Sequence, residues 1–264
     1  MECSIPKKVF AFIETKPDED IYEICITFKD VRGAVFKTAK ILSDARVNLR
    51  TAVLFDAFEK GSLDYWTSFI DVSKAERDIN QIEADLRSLD VVQDVKIVKP
   101  EPLIYDVIHF PIQYGDSTAV IMPLELFGSL LEEIENILTP SGFAAVFYGA
   151  GKRSGAHITE LIEKKCDLAG ELVVSALIQS TQALGLGQLE DVKLDLNRPF
   201  CKVRIRKCFE AVLKGSRREA ACHWTRGFIA GFMSRVVGKP LEAVEVKCAT
   251  GGGDVCEFEV CPKI

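Results

Sequence analysis

Four side chains of types that commonly bind metal ions lie near the end of the chain, and they constrain its fold most strongly. Cys222 comes first, Glu245 and Cys248 follow three residues apart, and Cys256 stands eight positions later. Three thiolates and one carboxylate fill a four-coordinate shell and leave no position for water, which is typical of structural zinc. The set therefore predicts one ion that ties distant segments together. Three buried thiols and a surface glutamate would give the same pattern, and spacing alone does not separate the two interpretations.

Composition narrows the class of protein. The chain has 264 residues, of which 48% are hydrophobic, enough for two domains. A net charge of -6 opposes a general nucleic-acid surface, because phosphate binding requires a basic face. No apolar run reaches the ~18 residues of a membrane span and no signal peptide begins at Met1, so a cytoplasmic protein is expected. Nine cysteines, an odd number, favour reduced thiols, and those outside the metal set, including Cys208, are predicted to be small apolar residues.

The first hundred residues alternate between the periodicities of strands and helices. In the first helix, an apolar stripe that includes Val35 and Phe36 is predicted to face the core. Ser73 and Glu76 have the spacing of a capping box, which predicts that a second helix begins at Ser73. The predicted order is βαββαβ, with strands at 22–28, 47–58, 63–72 and 91–98 and helices at 34–45 and from residue 73.

This order over residues 20–100, with Asp30 and Gly33 before the first helix and Asn48 after it, resembles the ACT family of regulatory domains. The resemblance implies a ferredoxin-like α+β domain over residues 1–100. It also implies that two copies pair and bind a small effector, often an amino acid, through Asp30, Gly33 and Asn48. Arg32 replaces the usual proline. The same residues suit purely structural roles, since aspartate and asparagine favour turns and glycine accepts a left-handed backbone.

A polar break with two prolines at residues 99–102 predicts the domain boundary, so the second domain is placed at 103–264. Pro123 is predicted to open a helix, and Ser216 and Glu219 are a second capping-box pattern that predicts another. The remaining predicted elements are helices at 142–165 and 168–184 and hairpins at 189–208 and 241–260.

Glycines in the helix at 142–165 first suggest a phosphate loop. Val146 stands in place of the first glycine of that motif, however, and Arg153 in place of its serine or threonine. Gly149, Gly151 and Gly155 are instead predicted to permit close helix packing.

Three C-terminal segments, Cys222–Phe232, Glu245–Cys248 and Gly253–Phe258, carry a second resemblance. With the glycine-containing helix, they resemble the 4-vinyl reductase (4VR) domain over residues 103–264. The resemblance implies an α/β ligand-binding architecture shared with haem nitric-oxide sensors and the vesicle-tethering TRAPP subunits. Domains of this family form the sensory part of aromatic-responsive bacterial activators, in which a cysteine, a glutamate and two more cysteines hold zinc. It therefore implies structural zinc at Cys222, Glu245, Cys248 and Cys256.

An apolar pocket in this domain would take a small hydrophobic or aromatic ligand. The side chains predicted to line it serve equally well as ordinary core. No ATPase or DNA-binding segment is recognised before residue 264, so the output would pass to an unidentified partner protein. The predicted lining residues are Phe147, Tyr148, Leu177, Val203, Phe228 and Phe232.

The leading hypothesis is a non-enzymatic, homodimeric small-molecule sensor with two domains. A reductase or accessory enzyme acting on a hydrophobic vinyl or aromatic substrate is the alternative that the family name suggests, although the sequence offers no convergent acid, base or nucleophile. A structural assembly subunit is the third hypothesis, and it predicts no cavity.

Overall fold

A computed structural model describes residues 12–13, 16, 18–55, 63–100, 104–114, 117–166, 168–196, 198, 200–215 and 221–262. The chain divides into two compact units, residues 1–120 and 121–264. Residues 104–118 thus group with the first unit, while the domain boundary predicted at 100–103 stays a prediction. No helix among the described residues is both long and apolar enough to cross a membrane.

The first unit contains an antiparallel sheet with two helices, in the βαββαβ order that the sequence predicts. Along the sheet the strands run β3-β5-β2-β6, and β4 also pairs with β5. The central strands therefore come from the start and the middle of the motif, which is the ferredoxin-like arrangement and confirms the predicted fold class. The elements are β1 (Phe12–Ile13), β2 (Ile21–Lys29), α1 (Ala34–Asp44), β3 (Asn48–Leu49), β4 (Val53–Phe55), β5 (Leu63–Asp71), α2 (Ile79–Arg87), β6 (Val92–Val98), β7 (Ile104–Tyr105), β8 (Gln113–Tyr114) and β9 (Ser117–Thr118).

Alternation along β2 gives the sheet two different faces. Ile24, Ile26 and Phe28 are buried in one core cluster with Leu42 of α1 and Leu86 of α2. The intervening side chains of β2 must point to the opposite face. On that face the backbone N–H of Val107 donates to the Glu23 carboxylate at 2.9 Å. The segment after β7 is thereby joined to the sheet.

Two predictions for this unit are wrong in detail. The second helix begins at Ile79, and its capping box uses Asp78 and Gln81 in place of the predicted Ser73 and Glu76. The predicted stripe of α1 is also wrong, because Phe36 is 72% exposed and Val35 is exposed as well. The buried face of α1 consists of Ala34, Thr38 and Leu42. Residues 56–62 of the predicted hairpin lie outside the described residues.

The second unit contains a four-stranded antiparallel sheet in the order β10-β11-β13-β12, together with five helices among its described residues. One core cluster joins the inner faces of the sheet to α5 and α7. Its elements are α3 (Leu124–Ile137), α4 (Pro140–Cys166), α5 (Glu171–Ala183), β10 (Gln188–Asp195), β11 (Phe200–Arg206), α6 (Phe209–Lys214), α7 (His223–Val237), β12 (Leu241–Lys247) and β13 (Val255–Pro262).

Helices α4 and α7 pack with their backbones in contact. A Cβ atom added at Gly155 would overlap the Phe228 carbonyl, and one added at Gly231 would overlap the Lys152 carbonyl. Only glycine permits such an approach. Gly151 and Gly227 make the equivalent contacts one turn earlier, so the helices run in the same direction. The predicted role of the α4 glycines in close packing is confirmed for Gly151 and Gly155.

The last helix differs from its prediction. Helix α7 begins at His223, and the predicted capping pair at Ser216 and Glu219 lies outside the described residues. The short helix α6, which the sequence did not predict, follows β11 and is buried at Phe209, Glu210 and Ala211.

A candidate metal centre in the second unit

The four predicted metal ligands come together. Cys222 immediately precedes α7, Glu245 lies on β12, Cys248 follows β12, and Cys256 lies on β13. One candidate ligand atom from each of these side chains lies within 4.8 Å of the ligand atoms of the others. Cys222 and Cys256 are buried, and Glu245 and Cys248 are half-buried. The cluster joins the start of a helix to both strands of a hairpin.

An irregular strand pairing explains how Glu245 and Cys248 reach the same cluster. On a regular strand, side chains three positions apart point to opposite faces. Glu245 pairs with Phe258 and Lys247 with Glu257, so Val246 is an extra residue on β12. Such a bulge reverses the alternation. The predicted need for a bulge or strand end between the two ligands is confirmed.

The sulfur atoms have a spacing compatible with shared coordination. Cys222 Sγ and Cys256 Sγ are 3.7 Å apart. Two thiolates on a tetrahedral zinc ion, each with a bond of about 2.3 Å, would lie about 3.8 Å apart. The backbone N–H of Ala249 donates to Cys256 Sγ at 3.3 Å, and the Thr250 hydroxyl donates to Cys248 Sγ at 3.1 Å. These donors would stabilise ionised sulfur.

The Glu245 carboxylate has one oxygen in use and one available. Its Oε2 accepts the backbone N–H of Cys222 at 3.0 Å. Its Oε1 is buried and accepts no hydrogen bond from the described residues. A buried acceptor without a donor is costly. A cation bound by this oxygen and the sulfur atoms would remove that cost, so the donor set fits a metal ion.

The electrostatics of the cluster favour the same conclusion. The pKa of Cys222 is raised by hydrogen bonding to Cys208, Cys248 and Cys256 and by burial. Burial, with a contribution from Cys248, raises the pKa of Glu245 to about 7. Several anions cannot share one buried space without a compensating cation. The cluster could therefore hold a metal ion that keeps its ligands ionised.

Two residues beside the cluster were missed by the sequence reasoning. Buried Cys208 contacts the Thr225 hydroxyl at 3.4 Å, and its Sγ, a Glu210 carboxylate oxygen and Cys222 Sγ form a second group within 4.8 Å. Hydrogen bonds from Cys222 and Cys256 lower the pKa of the Cys208 thiol. Cys208 was predicted to be an ordinary apolar residue, and the structure instead places it against the metal ligands. No spacing in the sequence signals this, because the contact depends on how β11 ends beside α7.

Glu210 stabilises the start of α7 from a neighbouring helix. Its carboxylate accepts the backbone N–H groups of Trp224 at 2.9 Å and Thr225 at 2.8 Å, and the Thr225 hydroxyl at 2.7 Å. These N–H groups have no acceptor within their own helix. Burial raises the pKa of Glu210 to about 7, although the three hydrogen bonds oppose the rise. The helix that carries Cys222 is thus held by a distant carboxylate.

The predicted pocket residues belong largely to the packed core. Leu177, Val203, Phe228 and Phe232 are buried in the core cluster, and half-buried Tyr148 packs against it. Half-buried Phe147 stacks on Phe143 with ring centroids 4.3 Å apart.

A groove of ≈ 350 Å³ lies elsewhere in the second unit, between α5 and β10. Its apolar lining includes Leu172, Ile178 and Val192, and none of the six predicted pocket residues lines it. The predicted ligand pocket therefore stays a prediction.

The three predicted effector residues occupy the loop and edge positions expected of them. Asp30 is exposed in the turn after β2, and Gly33 caps α1 with a φ of 84°, in the left-handed region. Asn48 is exposed on β3 and pairs with Asp71. These placements leave effector binding untested.

Comparison with known proteins identifies part of the second unit. Residues 201–262 match the 4VR (vinyl-4-reductase) domain family. The second unit therefore contains a 4VR domain, as the predicted resemblance implied. The match covers β11 to β13 and all four predicted metal ligands.

Solved structures and one curated relative add to this finding. The phenol-responsive sensory domain of the transcription activator PoxR, solved with phenol, is 17% identical and covers 57% of this chain and 79% of its own, with a TM-score of 0.50. A vinyl-4-reductase family protein of Methanocaldococcus jannaschii is 19% identical over 55% of this chain and 85% of its own, with a TM-score of 0.39. An uncharacterised protein of the same organism is 27% identical over 140 residues, 53% of this chain and 76% of its own.

For the first unit, the similar structures include the ACT domain of a GTP pyrophosphokinase from Chlorobium tepidum. It is 20% identical and covers 30% of this chain and 99% of its own, with a TM-score of 0.26. The likeness to the PoxR domain shows a shared fold in the second unit. The ferredoxin-like fold of the first unit is shown by its own strand order.

Proposed function

We propose that the protein is a non-enzymatic small-molecule sensor whose second unit, which contains the 4VR domain, binds a small hydrophobic or aromatic ligand. The observation that carries the proposal is the 4VR domain, within a unit whose fold resembles a phenol-responsive sensory domain. The ligand-binding role belongs to that neighbour and is inferred for this chain. The division of labour follows the predicted domains, with regulation at 1–100 and ligand binding at 103–264.

Zinc is the proposed ion of the metal centre. Three sulfur ligands favour zinc over magnesium or calcium, which prefer oxygen. With Cys222, Glu245, Cys248 and Cys256 as ligands, the coordination shell is complete. The ion would then act as a cross-link that fixes the start of α7 to the β12–β13 hairpin.

The proposed ligand site lies along the aromatic side chains of α4 and α7. The rings of Phe228 and Phe232 meet edge to face with centroids 5.9 Å apart, and Trp224 stacks on Phe228 at 5.0 Å. The Tyr148 hydroxyl accepts the backbone N–H of Ala243 at 3.4 Å, so a polar group lies beside this apolar surface. An aromatic ligand with one polar substituent suits such surroundings.

The first unit is proposed to pair two copies of the chain or to bind an effector such as an amino acid. Gly33 leaves the start of α1 open, since no atom lies within 4 Å of an added Cβ there. Asp30 and Asn48 are the proposed polar contacts. The protein is proposed to act in the cytoplasm as a homodimer and to signal through a partner protein.

Native mass spectrometry with phenol as the probe tests the sensor proposal. One phenol bound per chain, released unchanged after incubation with NADH, is the expected result. Phe228→Leu should weaken the binding at least about tenfold because it removes ring contacts. The control is Phe36→Leu, at a side chain that is 72% exposed on α1. Failure to bind phenol and its methylated derivatives, or conversion of any of them, would contradict the proposal.

A further inference from the structure

A second group of metal-binding side chain types lies in the first unit. Glu23 is on β2, and Asp106 and His109 follow β7. One candidate ligand atom from each of the three residues lies within 4.8 Å of the others. The cluster occupies the sheet face opposite the two helices and shares no residue with the centre at Cys222. Neither the 4VR match nor the proposed sensor role involves it.

The imidazole of His109 points toward both carboxylates. His109 Nδ1 lies 3.0 Å and 3.1 Å from the two oxygens of Asp106 and 3.5 Å from Glu23 Oε1. Ligand atoms about 2.0–2.2 Å from one ion are separated by roughly 2.8–3.1 Å in octahedral and 3.3–3.6 Å in tetrahedral geometry. The three observed separations fall in or between these ranges. Small side-chain shifts would therefore place one ion between the three residues.

The Glu23 carboxylate is the observation that points to a ligand. Glu23 is 1% exposed, and its Oε2 accepts the Val107 N–H at 2.9 Å. Its Oε1 is buried, faces His109 and accepts no hydrogen bond within the described part of the chain. A carboxylate buried in this way requires a cation close to its second oxygen.

We propose that Glu23, Asp106 and His109 form a second metal site, which binds a divalent transition-metal ion such as zinc or cobalt. One imidazole nitrogen and carboxylate oxygens form a mixed donor set that suits ions of this class. Half-buried Cys25, two residues from Glu23 on the same strand face, is a neighbouring sulfur.

The local field supports a positive charge at this position. The pKa of His109 is raised to about 10 by the side chains of Cys25 and Glu23 and by the nearby Asp106, against the opposing effect of burial. Surroundings that retain a proton this strongly also attract a metal cation, which would replace that proton on the ring. The ion would then join the segment after β7 to the middle of the sheet.

Metal stoichiometry of the full-length protein tests the site. The chelator-treated protein is reloaded with Zn²⁺, dialysed and measured by elemental analysis. We expect two equivalents in the unsubstituted protein and one in Glu23→Gln and in His109→Asn. In Cys248→Ser, which alters only the centre in the second unit, the equivalent at Glu23 should remain. The two sites thus fail independently.

The matched control is His157→Asn, the same substitution at an exposed histidine of α4, which should leave both equivalents. Cobalt absorption from sulfur ligands, measured in each variant, shows whether the second unit is still folded. Retention of the full metal content in either Glu23→Gln or His109→Asn would overturn the proposal. A single equivalent in the unsubstituted protein that survives both substitutions would overturn it as well.

Discussion

The sulfur atoms of Cys222 and Cys256 lie 3.7 Å apart, although 34 positions separate the two residues in the chain. One residue precedes α7 and the other lies on an inner strand of the sheet. Unpaired thiols gain little from such proximity, and the pKa of Cys222 is raised by the neighbouring sulfur atoms. The arrangement is favourable when a cation lies between the sulfur atoms.

We therefore expect Cys256→Ser to lose the metal ion of the second unit. A serine hydroxyl is a poor ligand for zinc beside two thiolates, so the bound metal should fall by one equivalent per chain. The loss should also lower the melting temperature by several degrees, because ion binding stabilises only the folded state. Elemental analysis and thermal unfolding measure the two effects.

Cys261→Ser is the matched control, because Cys261 lies on the same strand outside the cluster. It should keep the ion and nearly the full melting temperature. Equal metal content in both variants would contradict the assignment of Cys256.

Cys208 and Glu245 compete for the fourth ligand position, and one pair of variants decides between them. Glu245→Gln should weaken zinc binding by at least about 100-fold, because a neutral amide replaces an ionised ligand. Cys208→Ala should keep one equivalent, since three sulfur atoms and the carboxylate still converge. A competition assay with a chromophoric chelator measures both affinities. The reverse result would assign Cys208 to the metal shell in place of Glu245.

Gly231→Ala should strongly destabilise the second unit. The added Cβ would overlap the backbone of Lys152, and neither helix can relieve the overlap by rotating a side chain. We expect the free energy of unfolding to fall by about 2–4 kcal/mol. Urea unfolding followed by circular dichroism measures this loss.

Gly149→Ala provides the comparison on the other helix. Its added Cβ would meet only the end of Arg153, at 3.8 Å, so the substitution should be neutral or stabilise α4 by up to about 1 kcal/mol. Similar losses in both variants would show that the backbones of α4 and α7 are not in direct contact.

Glu210 should make the stability depend on pH. Burial raises its pKa from 4.5 to about 7 in the folded protein, so the folded state binds more protons than the unfolded state between these values. The contribution of Glu210 to stability is therefore greatest below pH 4.5 and falls as the pH rises to 7, by about 2–3 kcal/mol. Glu210→Gln should remove this part of the pH dependence.

The experiment uses chelator-stripped protein, so that metal release does not add its own pH dependence. Urea unfolding at several pH values gives the difference between the two proteins. Glu171→Gln, at an exposed glutamate in the first turn of α5, tests whether an amide alone changes the profile. A constant difference between wild type and Glu210→Gln across this pH range would contradict the prediction.

The sequence predicts most of the elements because periodicity and turn residues act locally. Strand β12 begins and ends where expected, at Leu241 and Lys247. The start of α2 was misplaced because two adjacent capping patterns are present, at Ser73 and at Asp78. The structure uses the second, which places Ile82 and Leu86 in the core. Local pattern alone cannot choose between two such caps.

Burial misled the prediction for α1 in a different way. Hydrophobicity favoured Phe36 as a core residue, whereas the helix packs through Ala34 and Thr38 and leaves Phe36 exposed. The four metal ligands could be predicted because their residue types and spacing carry the information. The place of Cys208 beside them could not, because it depends on packing between distant segments.

The backbone contact between α4 and α7 limits how the second unit can move. Helices separated by side chains can slide when those side chains change rotamer, but these two have no such layer at their glycines. The pair must therefore shift as one lever. Any displacement at Cys222 would be carried along both helices, and the compliant joints must lie in the loops at their ends.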